Sequence, residues 1–394
     1  MLKGRRIRCL LAAVILGVSM PAGCGSQTGH KGKDQAYFDQ KERGQGISKM
    51  LSYTESMDLQ FACRFAVDYY EDGYALILTE NGKRYLVVPE DGEAPEDLDQ
   101  EITVLRRPLN NIYLVATAAM DMFCQLDGLD FVGFSGQKSD GWAMEEVRQE
   151  MEKGNILYAG KYDSPDYERI VSGGCSLAVE NNMITHCPEV AEKLESFGIP
   201  VLIDSSSYES HPLGRVEWIK LYGVLLGRQE AASAAFDRQV KAFKRVADME
   251  ASGKTAAFFY ITANGMVSVR TASDYVPALI RLAGGRYVPD VDEKESRRST
   301  MIMQMEDFYL AAKDADYLVY NSTIDGELES IEELIMKENL LGDFKAVQEG
   351  NVWCTDRDLY QQSMSAGLMM EDIHRMLSGD ADRQKEIQCL YQLK

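Results

Sequence analysis

One long helical stretch separates two blocks in which short strands and helices alternate, and that order constrains the fold more than any other feature. Pro212 opens the stretch, and Ser252-Gly253 stops it. Trp218, Leu221, Tyr222, Leu225 and Leu226 keep one apolar stripe at helical spacing. Gly227 is a candidate break, after which Gln229–Asp248 is rich in alanine and carries Phe236, Val240, Phe243 and Val246. A helix of that second length spans about 30 Å, the width of a small domain. Before the stretch, strands are expected at 111–115, 131–134, 176–180 and 199–203, with helices near 118–126 and 189–197. After it, strands are expected at 256–262, 266–270 and 317–320. Strands alternating with helices make parallel α/β sheets. The expected class is α/β, with an N-terminal lobe at 105–211, a linker helix region at 212–252 and a C-terminal lobe at 253–394.

The residues ahead of the first lobe divide into three. Lys3, Arg5, Arg6 and Arg8 precede an apolar run from Cys9 to Val18, and Ala22-Gly23-Cys24 closes it. This is the pattern of an export signal over 1–23, too short to span a bilayer permanently. A cysteine directly after Ala-Gly resembles a bacterial lipobox, which makes Cys24 the expected lipidation site, although Pro21 stands where an aliphatic residue is usual. Residues 24–55 have few bulky apolar groups at their start and read as a flexible tether. In 56–104, Phe61, Cys63, Phe65 and Val67 are expected on one face of a strand. Asn81-Gly82 lies between two apolar runs as a hairpin turn.

Charge narrows the function. The chain carries 42 basic and 62 acidic residues, net −20, and loses four further positive charges with the signal, reaching −24. Nucleic acid is excluded, because phosphate binding needs a basic face. No C-x-x-C pair suggests a zinc ribbon or a redox site, and Cys175 and Cys187 flank one strand without an assigned pairing. No P-loop, dinucleotide fingerprint or nucleophile elbow is present, so an enzyme is not expected.

Several segments in order along 105–379 resemble the ABC-importer solute-binding proteins for ferric siderophores, haem and cobalamin. Pro108-Leu-Asn-Asn-Ile-Tyr-Leu-Val-Ala-Thr-Ala118 is similar to their opening strand-to-helix segment. Tyr158-Ala-Gly160 with Asp166-Tyr-Glu-Arg-Ile-Val171 is similar to their first-lobe docking segment. Leu194-Glu-Ser-Phe-Gly-Ile-Pro-Val201 is similar to their helix, Gly-Ile-Pro, strand step. Gly223-Val-Leu-Leu-Gly-Arg228 and Phe344-Lys-Ala-Val-Gln-Glu-Gly-Asn-Val-Trp353 are similar to their linker start and final helix-to-strand turn. Cys175-Ser176 departs from the usual Pro-Asp, and the unit at 56–104 has no counterpart. The resemblance implies two Rossmann-like lobes joined by a single rigid helix, with the ligand cleft between them. It also implies a monomer with no intrinsic cofactor, a permease and ATPase as partners, and a membrane anchor at Cys24. Glu168 and Glu306 match the carboxylates that such proteins present, one per lobe, to permease arginines.

Ligands of open α/β sheets bind beyond the carboxyl ends of the strands. That rule nominates Thr117, Met120, Tyr162, Asn181, Ser206 and Tyr208 in the first lobe, and Arg270, Tyr275, Asn321 and Tyr360 in the second. Arg297 and Arg298 also follow a strand but sit in a charged, solvated run. Arginine with tyrosine suits an anionic, partly aromatic chelate. Haem, with Met120, His186 or His211 as axial ligand, remains open. So do a bare metal cation and a surface receptor without a transporter.

Overall fold

The computed structural model describes residues 46–291 and 299–394. The expected export signal, Cys24 and Arg297-Arg298 lie outside the described residues.

The first strands form a five-stranded sheet: Tyr53–Ser56, Phe65–Tyr70, Ala75–Thr79 and Arg84–Val88 run antiparallel, and Ile102–Arg106 joins parallel to Arg84–Val88. Its hairpin turns at Gly82, whose φ of +81° favours glycine. Alternation sends Phe65, Val67, Ile77, Tyr85 and Val87 to one face, where they join the first lobe's core. Tyr85 donates to the Val201 carbonyl at 2.6 Å. The other face, with Leu76, Leu86 and Val88, is covered by Ile47, Leu51 and Leu98. Residues from Ile47 onward therefore pack into this unit, whereas composition placed a tether out to 55.

The strand expected to start at Phe61 begins only at Phe65. Two buried carboxylates hold the preceding amides instead. Glu217 accepts from Gln60, Phe61 and Ala62 at 2.8–3.1 Å, and from Lys220 at 2.7 Å. Glu209 accepts from the amides of Cys63 and Arg64 and from the Trp218 indole. Amides bound this way are withdrawn from strand pairing. Gly214 marks the close approach, since a Cβ there would meet the Phe61 carbonyl oxygen at 3.1 Å.

The first lobe is a parallel sheet in the spatial order Val201–Asp204, Ala178–Asn181, Ile112–Leu114, Val132–Ser135, Leu157–Tyr158. The chain starts in the middle at Ile112–Leu114, builds outward one way, then crosses to the other side at Ala178–Asn181. That crossing is a topological switch point. Cys175 and Cys187, which flank that strand, are free thiols.

The helical stretch divides into Pro212–Glu217, Ile219–Leu226 and Gln229–Ala247, with Gly227 at φ +69° ending the second. The first two belong to the first lobe; the third, 19 residues long, is the linker. Its small residues set the spacing at both ends. A Cβ on Gly223 would meet Ala232 at 2.6 Å, and one on Gly367, in the helix Ala366–Ser378 of the second lobe, would meet Ala242 at 2.7 Å. The linker is thus packed into each lobe and does not hang free between them.

The second lobe has a seven-stranded sheet whose centre, Thr255–Ile261, Tyr317–Tyr320 and Val352–Thr355, is parallel. Val267–Arg270 and Thr300–Met303 extend one side antiparallel, and Leu390–Gln392 the other.

Candidate functional site

A cavity of about 320 Å³ lies at the first lobe's switch point. Its first-lobe wall is Ala116, Thr117 and Ala118 after one strand, and Asn181, Asn182 and Met183 at the end of the neighbouring one. Thr117 opens the helix Thr117–Gln125, so the positive end of that helix faces the cavity. Asp204 ends the next strand, and Ser207 and Tyr208 follow it. The second lobe closes the cavity with Arg270, Asp274, Tyr275, Ser299 and Tyr360. A smaller cavity of about 190 Å³ adjoins it and shares Arg215 and Tyr275.

Two arginines dominate the site, and each lies against an aromatic ring. The Arg215 guanidinium stands 3.9 Å from the Tyr275 ring centroid and donates to the Ser207 carbonyl at 2.9 Å. Arg270 bonds the Tyr360 hydroxyl and lies 5.2 Å from that ring's centroid. It also approaches Asp274 at 3.6 Å. These ring contacts orient the planar cations while leaving further N–H donors available. The nearby carboxylates are occupied in other ways. Asp274 caps the helix Tyr275–Leu282 by accepting from Val276, and burial pushes its carboxyl above the usual range. Asp204 accepts from Tyr222 and from Ser206, and burial raises it too. Both carboxylates are thus engaged by hydrogen bonds of their own, and the arginines keep N–H donors beyond those contacts.

Thr117, Asn181, Tyr208, Arg270, Tyr275 and Tyr360, all nominated from sequence, line this one cavity. Asn321 stands one step behind it, fully buried, donating to the Tyr360 hydroxyl at 3.0 Å. Ser206 is buried against Asp204, its hydroxyl 2.5 Å from that carboxylate. Met120 is fully buried in the core, one helical turn past Thr117, and does not line the cavity. Tyr162 packs on the opposite face of the sheet with Tyr113 and Ile170. His211, an alternative axial ligand, stacks on Phe61 at 4.5 Å, and burial lowers its pKa to about 4. Arg215 and Asp274 escaped the sequence reading.

Hydrogen bonds also cross between lobes beside the cavity. Gln361 donates to the Gly141 carbonyl and accepts from Ala143, at 2.8 and 2.9 Å. Asp121 accepts from the Met364 amide at 2.7 Å. On the outer surface, Glu168 and Glu306 are both exposed, in the first turns of Tyr167–Ser172 and Met305–Ala312. Each shares its helix face with an exposed apolar side chain, Val171 and Leu310 respectively.

The model of the family described as periplasmic binding protein matches residues 121–359, more than half of the 394. The chain belongs to the periplasmic binding protein family. Two curated relatives, both uncharacterized lipoproteins of Methanocaldococcus jannaschii, are 22% identical over 346 and 340 residues. The alignments cover 80% and 83% of this chain and 78% and 84% of theirs. Among solved structures, the haem-binding protein HutB of Vibrio cholerae matches at TM-score 0.55 and 14% identity, covering 66% of this chain and 97% of that one. The petrobactin-binding protein YclQ of Bacillus subtilis matches at TM-score 0.57 and 11% identity, covering 78% and 99%. These likenesses are of fold: two α/β lobes with a cleft between them. In this periplasmic binding protein the sheet unit at 53–106 precedes the matched residues.

Proposed function

We propose that this periplasmic binding protein captures an anionic iron chelate of the siderophore type in its cleft and delivers it to the permease of an ABC importer. The single observation that carries the reading is the pair of arginines, one from each lobe and each held against a tyrosine, lining a switch-point cavity. Charge-assisted bonds from Arg215 and Arg270 suit carboxylate or catecholate oxygens, and Tyr208, Tyr275 and Tyr360 offer faces to flat ligand groups. The helix end at Thr117 adds further preference for negative charge. A chelate brings its own metal donors. A bare cation needs several protein ligands, and among the described residues no group of three or more His, Cys, Asp or Glu is placed to hold one. The solved structures of like fold that bind haem and petrobactin favour the broader class of iron chelates.

The exposed carboxylates support the delivery half of the reading. Glu168 and Glu306 report the position of one lobe each, and paired permease arginines would read both. The glycine-spaced linker and the hydrogen bonds between lobes support small lobe movements. Retention by a lipid on Cys24 fits the lipoprotein relatives, and the role is binding and transfer, without a cofactor, by a monomer. No helix of the described residues is long and apolar enough to cross a membrane.

Titration of a ferric tris-catecholate, a ferric trihydroxamate, haemin and cobalamin against intrinsic tryptophan fluorescence tests the reading. Saturable quenching by an anionic ferric chelate, lost in the Arg215→Ala/Arg270→Ala double variant, is expected. Tight cobalamin binding unaffected by those substitutions would overturn it.

A further inference from the structure

The sheet unit at 53–106 lies ahead of the residues that match the family, but one of its flanking side chains reaches the wall of the cleft. Arg64 donates through Nε–H to the Tyr208 carbonyl at 2.8 Å, and its guanidinium stands 5.9 Å from the Tyr208 ring centroid. Its Nη1 pairs with Glu80, beside the hairpin turn. The two side chains are only 16% and 17% exposed, so their geometry is fixed by the surroundings. The next residue after Tyr208, Glu209, binds the amides of Cys63 and Arg64. From the other side, Arg215 holds the Ser207 carbonyl. The short turn Ser206–Tyr208 is therefore gripped between the N-terminal unit and the helix Pro212–Glu217. Tyr208 itself is 45% exposed, and Ser207 and Tyr208 both line the cavity. A half-exposed ring on a single turn loses rotamer freedom when a ligand docks, and a backbone fixed beforehand lowers that cost.

We propose that Arg64 is a positioning residue for the ligand site: the N-terminal unit, through Arg64, presets Tyr208 against the cleft. The unit is then part of the binding site and not an appendage to it. This inference rests on the cleft being the ligand site.

A double-mutant cycle with a ferric tris-catecholate as probe separates positioning from general stability. Loss of the preset conformation of one side chain predicts that Arg64→Ala weakens binding about 3- to 10-fold. In a Tyr208→Ala background the same change should alter affinity less than about 1.5-fold, because the residue acts through Tyr208. Glu80→Gln, which loosens the guanidinium without deleting it, should give a smaller loss in the same direction. In ligand-free protein, amide exchange of residues 205–209 should rise in Arg64→Ala while that of the second lobe stays unchanged. Additive effects in the cycle, or unchanged affinity together with unchanged exchange at 205–209, would overturn the inference. If the wild-type protein bound none of the four probes named above, the functional reading would fail, and the exchange arm alone would decide whether Arg64 fixes Tyr208.

Discussion

Replacing Glu180 by glutamine should change how stability depends on pH. Glu180 lies in the strand Ala178–Asn181, fully buried, and among the described residues neither of its carboxyl oxygens has a hydrogen-bond partner. Strand alternation turns it away from Asn181 and the cleft, toward the face that holds Tyr113. Burial pushes its pKa up to about 8. In the unfolded chain an ordinary glutamate titrates near pH ~4.3. Between those values the folded protein holds a proton that the unfolded chain has released, so stability falls as pH rises. The slope is about 1.4 kcal/mol per pH unit, which over roughly three units gives a ceiling near 4 kcal/mol. Relaxation and water entry on ionisation reduce this, to about 2–4 kcal/mol. An unfolding entropy of about 2.1 cal/mol/K per residue, for a chain of this length, converts it to roughly 3–5 °C in Tm. Glu180→Gln removes the titration and keeps the shape. Thermal melts of both proteins at about pH 5 and about pH 8 should show the wild type losing those degrees relative to the variant at the higher pH. Asp121, raised to about 6, and His211, lowered to about 4, titrate in both proteins and cancel in the difference. Parallel melting curves across that range would refute the reasoning.

Other consequences are equally direct. Glu217→Ala strands the amides of Phe61 and Ala62, at about 1–3 kcal/mol each when buried. It should lower the urea midpoint clearly and expose residues 57–64 to proteolysis, while Glu230→Ala on the exposed linker face should do neither. Arg215→Ala or Arg270→Ala should each weaken chelate binding about 10- to 100-fold, read by fluorescence titration. Glu168→Lys with Glu306→Lys should abolish uptake in a reconstituted importer while Kd stays within about twofold of wild type; a parallel loss of affinity would place those residues in the cleft instead. Scattering from free and chelate-saturated protein should show only a small lobe closure, because the linker packs closely at Gly223 and Gly367.

The two-lobed plan was legible because strands and helices announce themselves by period, and one long helical stretch stands between two such blocks. The switch-point rule reached Thr117 and Asn181 because those residues lie at or just past strand ends. It failed at Met120, where one extra helical turn carries an apolar side chain away from the strand end into the core. Tyr162 follows a short outer segment, and the rule cannot tell on which face such a loop will fold. Arg215 was hidden because helix Pro212–Glu217, not a strand, delivers it. The segment at 57–64 reads locally as an alternating strand. Its amides are claimed by Glu209 and Glu217, about 150 residues later, and no local pattern signals a bond of that range.

The most direct test of the central claim is the equilibrium affinity for a ferric tris-catecholate, measured by quenching of Trp142, Trp218 and Trp353 in wild type and in Arg215→Ala/Arg270→Ala. Trp142 adjoins the seam where Gln361 crosses between lobes, so it should respond to an occupied cleft. The account predicts saturable binding by wild type that falls at least about 100-fold in the double variant. Equal affinities in the two proteins would contradict it.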